Sequence, residues 1–161
     1  MHIEIHDVDW DHPEGARLRR DQQREVAERY GGADTEAGPK PSGRDTALFL
    51  LATDVRSGEA VGCGGLRALD DDAFELKRMY VVPAWRGRRV GQVLLRALEE
   101  AARERGASVM RLETGSAQGE SIRLYERCGY RRIERYGHYA DSEVSVCFER
   151  SLTGDPQPAA G

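Results

Sequence analysis

The stretch MYVVPAWRGRRVGQVLLRALEEA, residues 79–101, sets an apolar strand, a proline, an arginine-rich turn and an amphipathic helix in immediate succession. Val90, Val93, Leu94, Ala97, Leu98 and Ala101 recur at i, i+3, i+4 spacing, which predicts a helix that Gly106 stops. AFELKRMYVV (73–82) precedes it and SVMRLET (108–114) follows it, both with the composition of strands. A strand, a helix of this length and a second strand form a right-handed crossover between parallel neighbours. This unit decides the fold class.

Outward from it, the chain reads as hairpins. HIEIHDV (2–8) alternates Ile3 and Ile5 against His2, Glu4 and His6, and Pro13 opens a helix that runs to Gly31. Residues 32–45, GADTEAGPKPSGRD, predict a long loop, either a lid or an unstructured connection. TALFLLATD (46–54), EAVGCGGLRAL (59–69) and the strand from Ala73 are joined by an Arg-Ser-Gly turn and the polar turn Asp70-Asp71-Asp72. Downstream, QGESIRLYERCGY predicts a helix closed by Gly129, and SEVSVCFERSL a terminal strand. The expectation is a single mixed α/β domain over 1–152, a mostly antiparallel sheet with one central parallel pair and flanking helices, and a disordered tail over 153–161.

Composition narrows the function classes. With 39% hydrophobic and 32% charged residues among 161, the chain has the make-up of a soluble globular protein, and no apolar run approaches a membrane span. The first residues, MHIEIHDVDW, lack the pattern of a secretory leader, so a cytoplasmic location is expected. A net charge of −4 argues against a nucleic-acid partner. Cys63, Cys128 and Cys147 are odd in number and widely spaced among apolar neighbours, the pattern of buried free thiols. His2, His6 and His12 lack a nearby Cys or a His-x-x-x-His pair, and no metal is expected.

The turn before the helix points to an anion. A helix start leaves backbone N–H groups unpaired at its positive end, Gly87 and Gly91 admit close approach of a ligand, and Arg86, Arg88 and Arg89 offer charge-assisted hydrogen bonds. Phosphate or pyrophosphate suits that set; a solvated helix start is the plainer alternative. A Walker loop would need Gly-Lys-Ser/Thr, and GCGGLRA fails the dinucleotide spacing because Arg67 stands at the last glycine.

Arg86-Gly87-Arg88-Arg89-Val90-Gly91 resembles the Arg/Gln-x-x-Gly-x-Gly/Ala coenzyme A loop of the GNAT N-acetyltransferase superfamily, with Arg89 in place of the middle glycine. SIRLYERCGY (121–130) is similar to the superfamily's Leu-Tyr-x-x-x-Gly-Phe/Tyr helix, with Gln118 and Ser121 where Asn and Ala are more usual. More narrowly, ELKRMYVVP, LETG and YGHYADSEVSVCFERSL resemble a bacterial subgroup sometimes labelled indoleacetate-related, a label that supplies no substrate.

The resemblance implies acetyl-CoA as co-substrate, an amine acceptor and no metal. It implies two parallel strands that splay apart, with Met79, Tyr80 and Val81 offering backbone atoms to the pantetheine arm and with Arg86 to Gly91, Gln118 and Ser121 around the coenzyme. It further implies Tyr125 near the coenzyme sulfur as proton donor to the leaving thiolate. Glu75 stands similarly to the glutamate base of histone-type relatives, or is a partly exposed strand carboxylate paired with Lys77 or an arginine. Glu113 and Thr114, at the end of the second strand, and Tyr136, His138 and Tyr139 are candidates to face the acceptor. A non-catalytic acyl-CoA sensor, transfer of another acyl group and a hydroxyl acceptor remain open, and a homodimer through the edge of the terminal strand is expected.

Overall fold

A computed structural model describes residues 2–32, 34–70 and 72–154. Its seven strands are β1 (Ile3–Asp7), β2 (Thr46–Asp54), β3 (Ala60–Asp70), β4 (Ala73–Val81), β5 (Val109–Gly115), β6 (Arg131–Ile133) and β7 (Ser145–Ser151), in the sheet order β1-β2-β3-β4-β5-β7-β6. The helices are α1 (Pro13–Arg29), α2 (Val90–Glu104) and α3 (Gly119–Arg127). Among the described residues only β4 and β5 run parallel, and antiparallel ladders flank that pair on both sides. The expected mixed sheet with its crossover is therefore present.

Strand alternation sorts the core into two layers. Leu48, Leu50 and Ala52 of β2 pack with Leu94, Leu95 and Leu98 of α2, while Phe49 and Leu51 pack with Leu18 of α1. At Gly62 a Cβ would lie 2.8 Å from Leu94 Cδ1, so the glycine lets α2 sit directly on β3. Glu99 of α2 is buried, accepting hydrogen bonds from Arg150 of β7 at 2.6 Å and from Tyr130 Oη at 2.8 Å. α1 begins where Pro13 fixes the first turn and His12 Nδ1 accepts from Glu14 N at 3.2 Å, which gives His12 the work of a helix cap.

The feature that matters for function is where the parallel pair ends. β4 and β5 are paired from Ala73↔Val109 to Leu76↔Leu112 and no further. Beyond that point β4 stays with β3 as far as Val81, and β5 stays with β7 as far as Gly115. A gap opens inside the sheet between Lys77 and Glu113. At its margin Arg78 takes a left-handed conformation, φ 57°, beside a register shift between Cys63 and Gly65.

Three expectations change. β7 is not an edge strand, because β6 pairs with it from Arg131↔Glu149 to Ile133↔Cys147; the edges are β1 and β6. Glu75 is buried rather than partly exposed, and of the two expected partners, Lys77 or an arginine, it takes an arginine, Arg67. β3 runs on to Asp70, the first residue of the expected Asp-Asp-Asp turn, and Asp71 lies outside the described residues. The tail expected from 153 onward lies outside them from residue 155. Cys63, Cys128 and Cys147 are buried free thiols, and burial pushes Cys63 up to about 12. Among the described residues no helix is long and apolar enough to cross a membrane.

Candidate active site

Two cavities meet at the gap. The larger, of about 580 Å³, lies between the end of β4, the start of α2 and the inner faces of α1 and α3. The smaller, of about 290 Å³, lies between α1, the loop after it, β4 and the end of β5. Gln22, Val26, Met79, Gln118, Ser121 and Tyr125 line both, so the two are chambers of one cleft with Tyr125 at the junction.

The larger chamber suits a phosphorylated ligand. Arg89, the residue before α2, has φ 67° and ψ 13°, and no side chain caps the helix start. The glycine of the resembling motif would adopt this left-handed turn without strain; an arginine adopts it at a cost of about 1–2 kcal/mol. Gly87 also has positive φ, 76°, with open space where a Cβ would stand. Arg86, Gly87, Arg89, Val90 and Gly91 all line the chamber, whereas Arg88 turns away and stacks on Trp85 at 4.8 Å. Arg123 and Arg127, one turn apart on α3, face it from the other side. The donor set, an uncapped helix start with several guanidinium groups, fits a pyrophosphate.

The strand margin supplies the polar groups an extended amide chain needs. Val82 N–H donates to Val61 O across to β3, and by alternation the N–H and C=O of Met79 and Val81 point into the gap. Met79 O accepts from Gln22 Nε2 at 2.7 Å, and Val81 O accepts from Arg86 Nε at 2.9 Å. Tyr80 was expected to offer backbone atoms there. Its backbone faces β3, and what it gives the chamber is its ring, 5.5 Å from the Arg86 guanidinium. Arg86 also donates to Glu25 Oε2 of α1 at 2.9 Å.

In the smaller chamber Glu113 stands on β5 just past the split. Ser145 Oγ donates to its Oε2 at 2.6 Å. Burial raises the Glu113 carboxyl above its ordinary value, and neither the Ser145 hydrogen bond nor the Lys77 charge reverses that. Thr114, its neighbour, lines the same chamber. Tyr125 is buried, its ring held edge-on by Tyr130 at 5.9 Å and tilted against Phe148 at 6.4 Å, and burial raises its phenol.

Glu75 lies elsewhere. It is 1% exposed and lines neither chamber. Its Oε1 accepts from Arg67 Nη2 at 2.8 Å and Nε at 3.2 Å; its Oε2 accepts from Tyr136 Oη at 2.7 Å and Tyr139 Oη at 2.9 Å. Tyr136 and Tyr139 thus cover Glu75 instead of lining the cleft, and His138 packs against Gly38. Lys77 bridges the two regions, donating to Tyr139 Oη at 3.1 Å and to Glu36 Oε2 at 3.4 Å.

Sequence reasoning missed the contribution of α1. Gln22, Val26 and Arg29 follow i, i+4, i+7 spacing on one face of that helix and line the larger chamber with Glu25. The available signal was the polarity of PEGARLRRDQQREVAER, whose large apolar residues are Leu18 and Val26 alone, too few to seat it as an ordinary core helix.

The chain belongs to the acetyltransferase (GNAT) family, whose model matches residues 4–130. It is 38% identical over 105 residues to the IAA acetyltransferase of Azospirillum brasilense, an alignment covering 65% of this chain and 67% of that protein. It is 31% identical over 104 residues to the streptothricin acetyltransferase of Streptomyces lavendulae, covering 62% of this chain and 52% of that one. Among solved structures, a Klebsiella pneumoniae protein provisionally assigned as an acyl-CoA N-acyltransferase shares 30% identity at a TM-score of 0.80, over 94% of this chain and 98% of that one. A GNAT family acetyltransferase from Elizabethkingia anophelis, solved with acetyl-CoA bound, has the same fold at 18% identity and a TM-score of 0.68, over 92% of this chain and 97% of that one.

Proposed function

We propose that this chain transfers the acetyl group of acetyl-CoA to a primary amine of a small molecule or peptide, by direct attack in a ternary complex. The observation that carries the reading is the junction at Tyr125. A chamber suited to a pyrophosphate and an extended amide chain opens, through the split between β4 and β5, into a second chamber that holds a half-buried carboxyl, Glu113.

In this reading Arg86, Arg89 and the start of α2 hold the pyrophosphate, and Met79 and Val81 hydrogen-bond the pantetheine amides after Gln22 and Arg86 release their carbonyls. Gln118 and Ser121 border the thioester, and Tyr80 closes the wall. Glu113 accepts the proton of the incoming ammonium, and its raised pKa suits a base meeting an amine that is almost wholly protonated at neutral pH. The amine nitrogen bonds to the carbonyl carbon, and the Met79 N–H faces the oxygen on which negative charge gathers. As the C–S bond breaks, the nitrogen loses its second proton to solvent, and Tyr125 gives its proton to the thiolate and recovers one through solvent. Glu75, with both oxygens already engaged, acts through the Arg67–Tyr136–Tyr139 cluster that supports β4 rather than by touching substrate.

The test is turnover with acetyl-CoA and a panel of primary amines, following free thiol and the mass of the acetylated product together. Coenzyme binding without acetylation of any amine would replace the reading with that of a sensor; acetylation of hydroxyl compounds alone would replace the acceptor class.

A further inference from the structure

In the smaller chamber a left-handed backbone at Arg78 brings two cations onto one carboxylate. Consecutive strand residues ordinarily point to opposite faces, yet Lys77 and Arg78 both reach the same oxygen, Glu36 Oε2, at 3.4 Å and 2.6 Å. The left-handed turn at Arg78, φ 57°, re-aims its side chain to the Lys77 side of the strand. Arg78 engages Glu36 in a two-pronged pair, Nη1 to Oε2 at 2.6 Å and Nη2 to Oε1 at 3.0 Å. Both cations are almost fully buried, at 7% and 10% side-chain exposure. Their anion comes from outside the sheet: Glu36 belongs to a segment without helix or strand, residues 34–42.

Resting on the acetyl-transfer reading above, we infer that the acceptor is a small amine bearing a carboxylate of its own, such as an amino acid, and that this carboxylate takes the place Glu36 occupies on Arg78 and Lys77. Three observations converge. Glu36 demonstrates that the site accepts a carboxylate in two-pronged geometry, the arrangement a planar guanidinium favours. Glu113, Lys77 and Arg78 line the same chamber, so one molecule spans from the proton acceptor to the receptor. The volume, about 290 Å³, is at the small end of ligand cavities and matches an amino-acid-sized molecule. Displacing Glu36 leaves the buried cations paired throughout, which avoids the cost of an uncompensated buried charge.

The experiment uses product mimics, so that it does not depend on turnover. Binding of N-acetylglycine, N-acetylalanine and N-acetylphenylalanine to the full chain with coenzyme A present is measured by calorimetry, each against its neutral methylamide. At least one acid should bind about tenfold or more tightly than its amide, the scale of a lost charge-assisted pair. Arg78→Gly keeps the left-handed backbone without strain while deleting the guanidinium, and should erase the preference for the acid. Glu36→Gln removes the resident competitor and should tighten the acid about tenfold while leaving the amide unchanged. Equal binding of all acids and amides overturns the inference, as does an unchanged or weakened acid in Glu36→Gln. The acetyl-transfer reading fails by a different result, the absence of acetylation with amines that carry no carboxylate as well as those that do.

Discussion

Ser145 Oγ donates a 2.6 Å hydrogen bond to Glu113 Oε2, tying the start of β7 to the one carboxyl of β5 that stands at the split. The hydrogen bond stabilises the ionised carboxylate while burial opposes it, and burial prevails. A carboxyl raised in the fold contributes its full stability below the ordinary carboxylate pKa, and that contribution is lost as pH rises through the raised value. Glu113→Gln should therefore raise Tm at neutral pH. The same change should lower kcat by about 10²-fold or more and remove the acid limb of the pH–rate profile, because only the ionised base accepts a proton. Thermal melts and kcat against pH check the two halves; a retained acid limb would transfer the role to water.

Tyr125→Phe keeps the ring between Tyr130 and Phe148 and deletes only the hydroxyl. Acetyl-CoA affinity should persist while kcat falls by about 10²-fold, the scale of a lost general acid. Single-turnover kinetics make the measurement, since they isolate chemistry from product release. An unchanged chemical rate would remove Tyr125 from the proton path.

Arg89 sets stability against binding. Arg89→Gly relieves the left-handed strain and should stabilise the fold by about 1 kcal/mol in urea titration, less the extra freedom glycine brings to the unfolded chain. It also removes a cation from the chamber, so acetyl-CoA should bind more weakly. Removing Arg86 and Arg89 together should weaken binding by about ten- to a thousandfold, measured by calorimetry. Unaltered affinity in the folded double variant would place the pyrophosphate elsewhere.

Glu75→Gln separates support from chemistry. It leaves Arg67 with Asp45 at 3.5 Å and Pro39 O at 3.0 Å but without its buried counter-charge, and should cost about 2–3 kcal/mol of stability. If Glu75 is only a support, the pH dependence of kcat is unchanged in the folded variant. Loss of the acid limb would instead make Glu75 the proton acceptor.

The parts of the molecule governed by local pattern were legible in the chain. The i, i+3, i+4 series from Val90 gave α2, the Arg86–Gly91 run marked a helix start that lines the larger chamber, and the resemblance of SIRLYERCGY singled out Tyr125, which lines both chambers. Relationships across long sequence separations were not. Nothing near Glu75 signals that Tyr136 and Tyr139 close over it, and nothing near Lys77 and Arg78 signals Glu36, 41 and 42 residues away. The edge assignment of β7 failed because β6 is three residues long, too short for periodicity to register. The turn at Arg78 is invisible for another reason: a left-handed backbone is foretold by glycine, and this position carries arginine, whereas at Arg89 the glycine of the resembling motif hints at it.

The split in the sheet has a consequence for the protein when it meets other copies of itself. An open strand margin is a template on which a foreign chain can add a strand, and proteins usually blunt such margins with charge or a covering element. Here the exposed margin is internal, and its two outward carbonyls, at Met79 and Val81, already accept from Gln22 and Arg86. Side chains cannot propagate a ladder as a backbone does, so they deny the margin to an invading strand. Each is a single bond from a side chain with several rotamers, which a ligand with amides at the right spacing can replace one for one. The same two contacts thus guard against aggregation and keep the cleft ready to open.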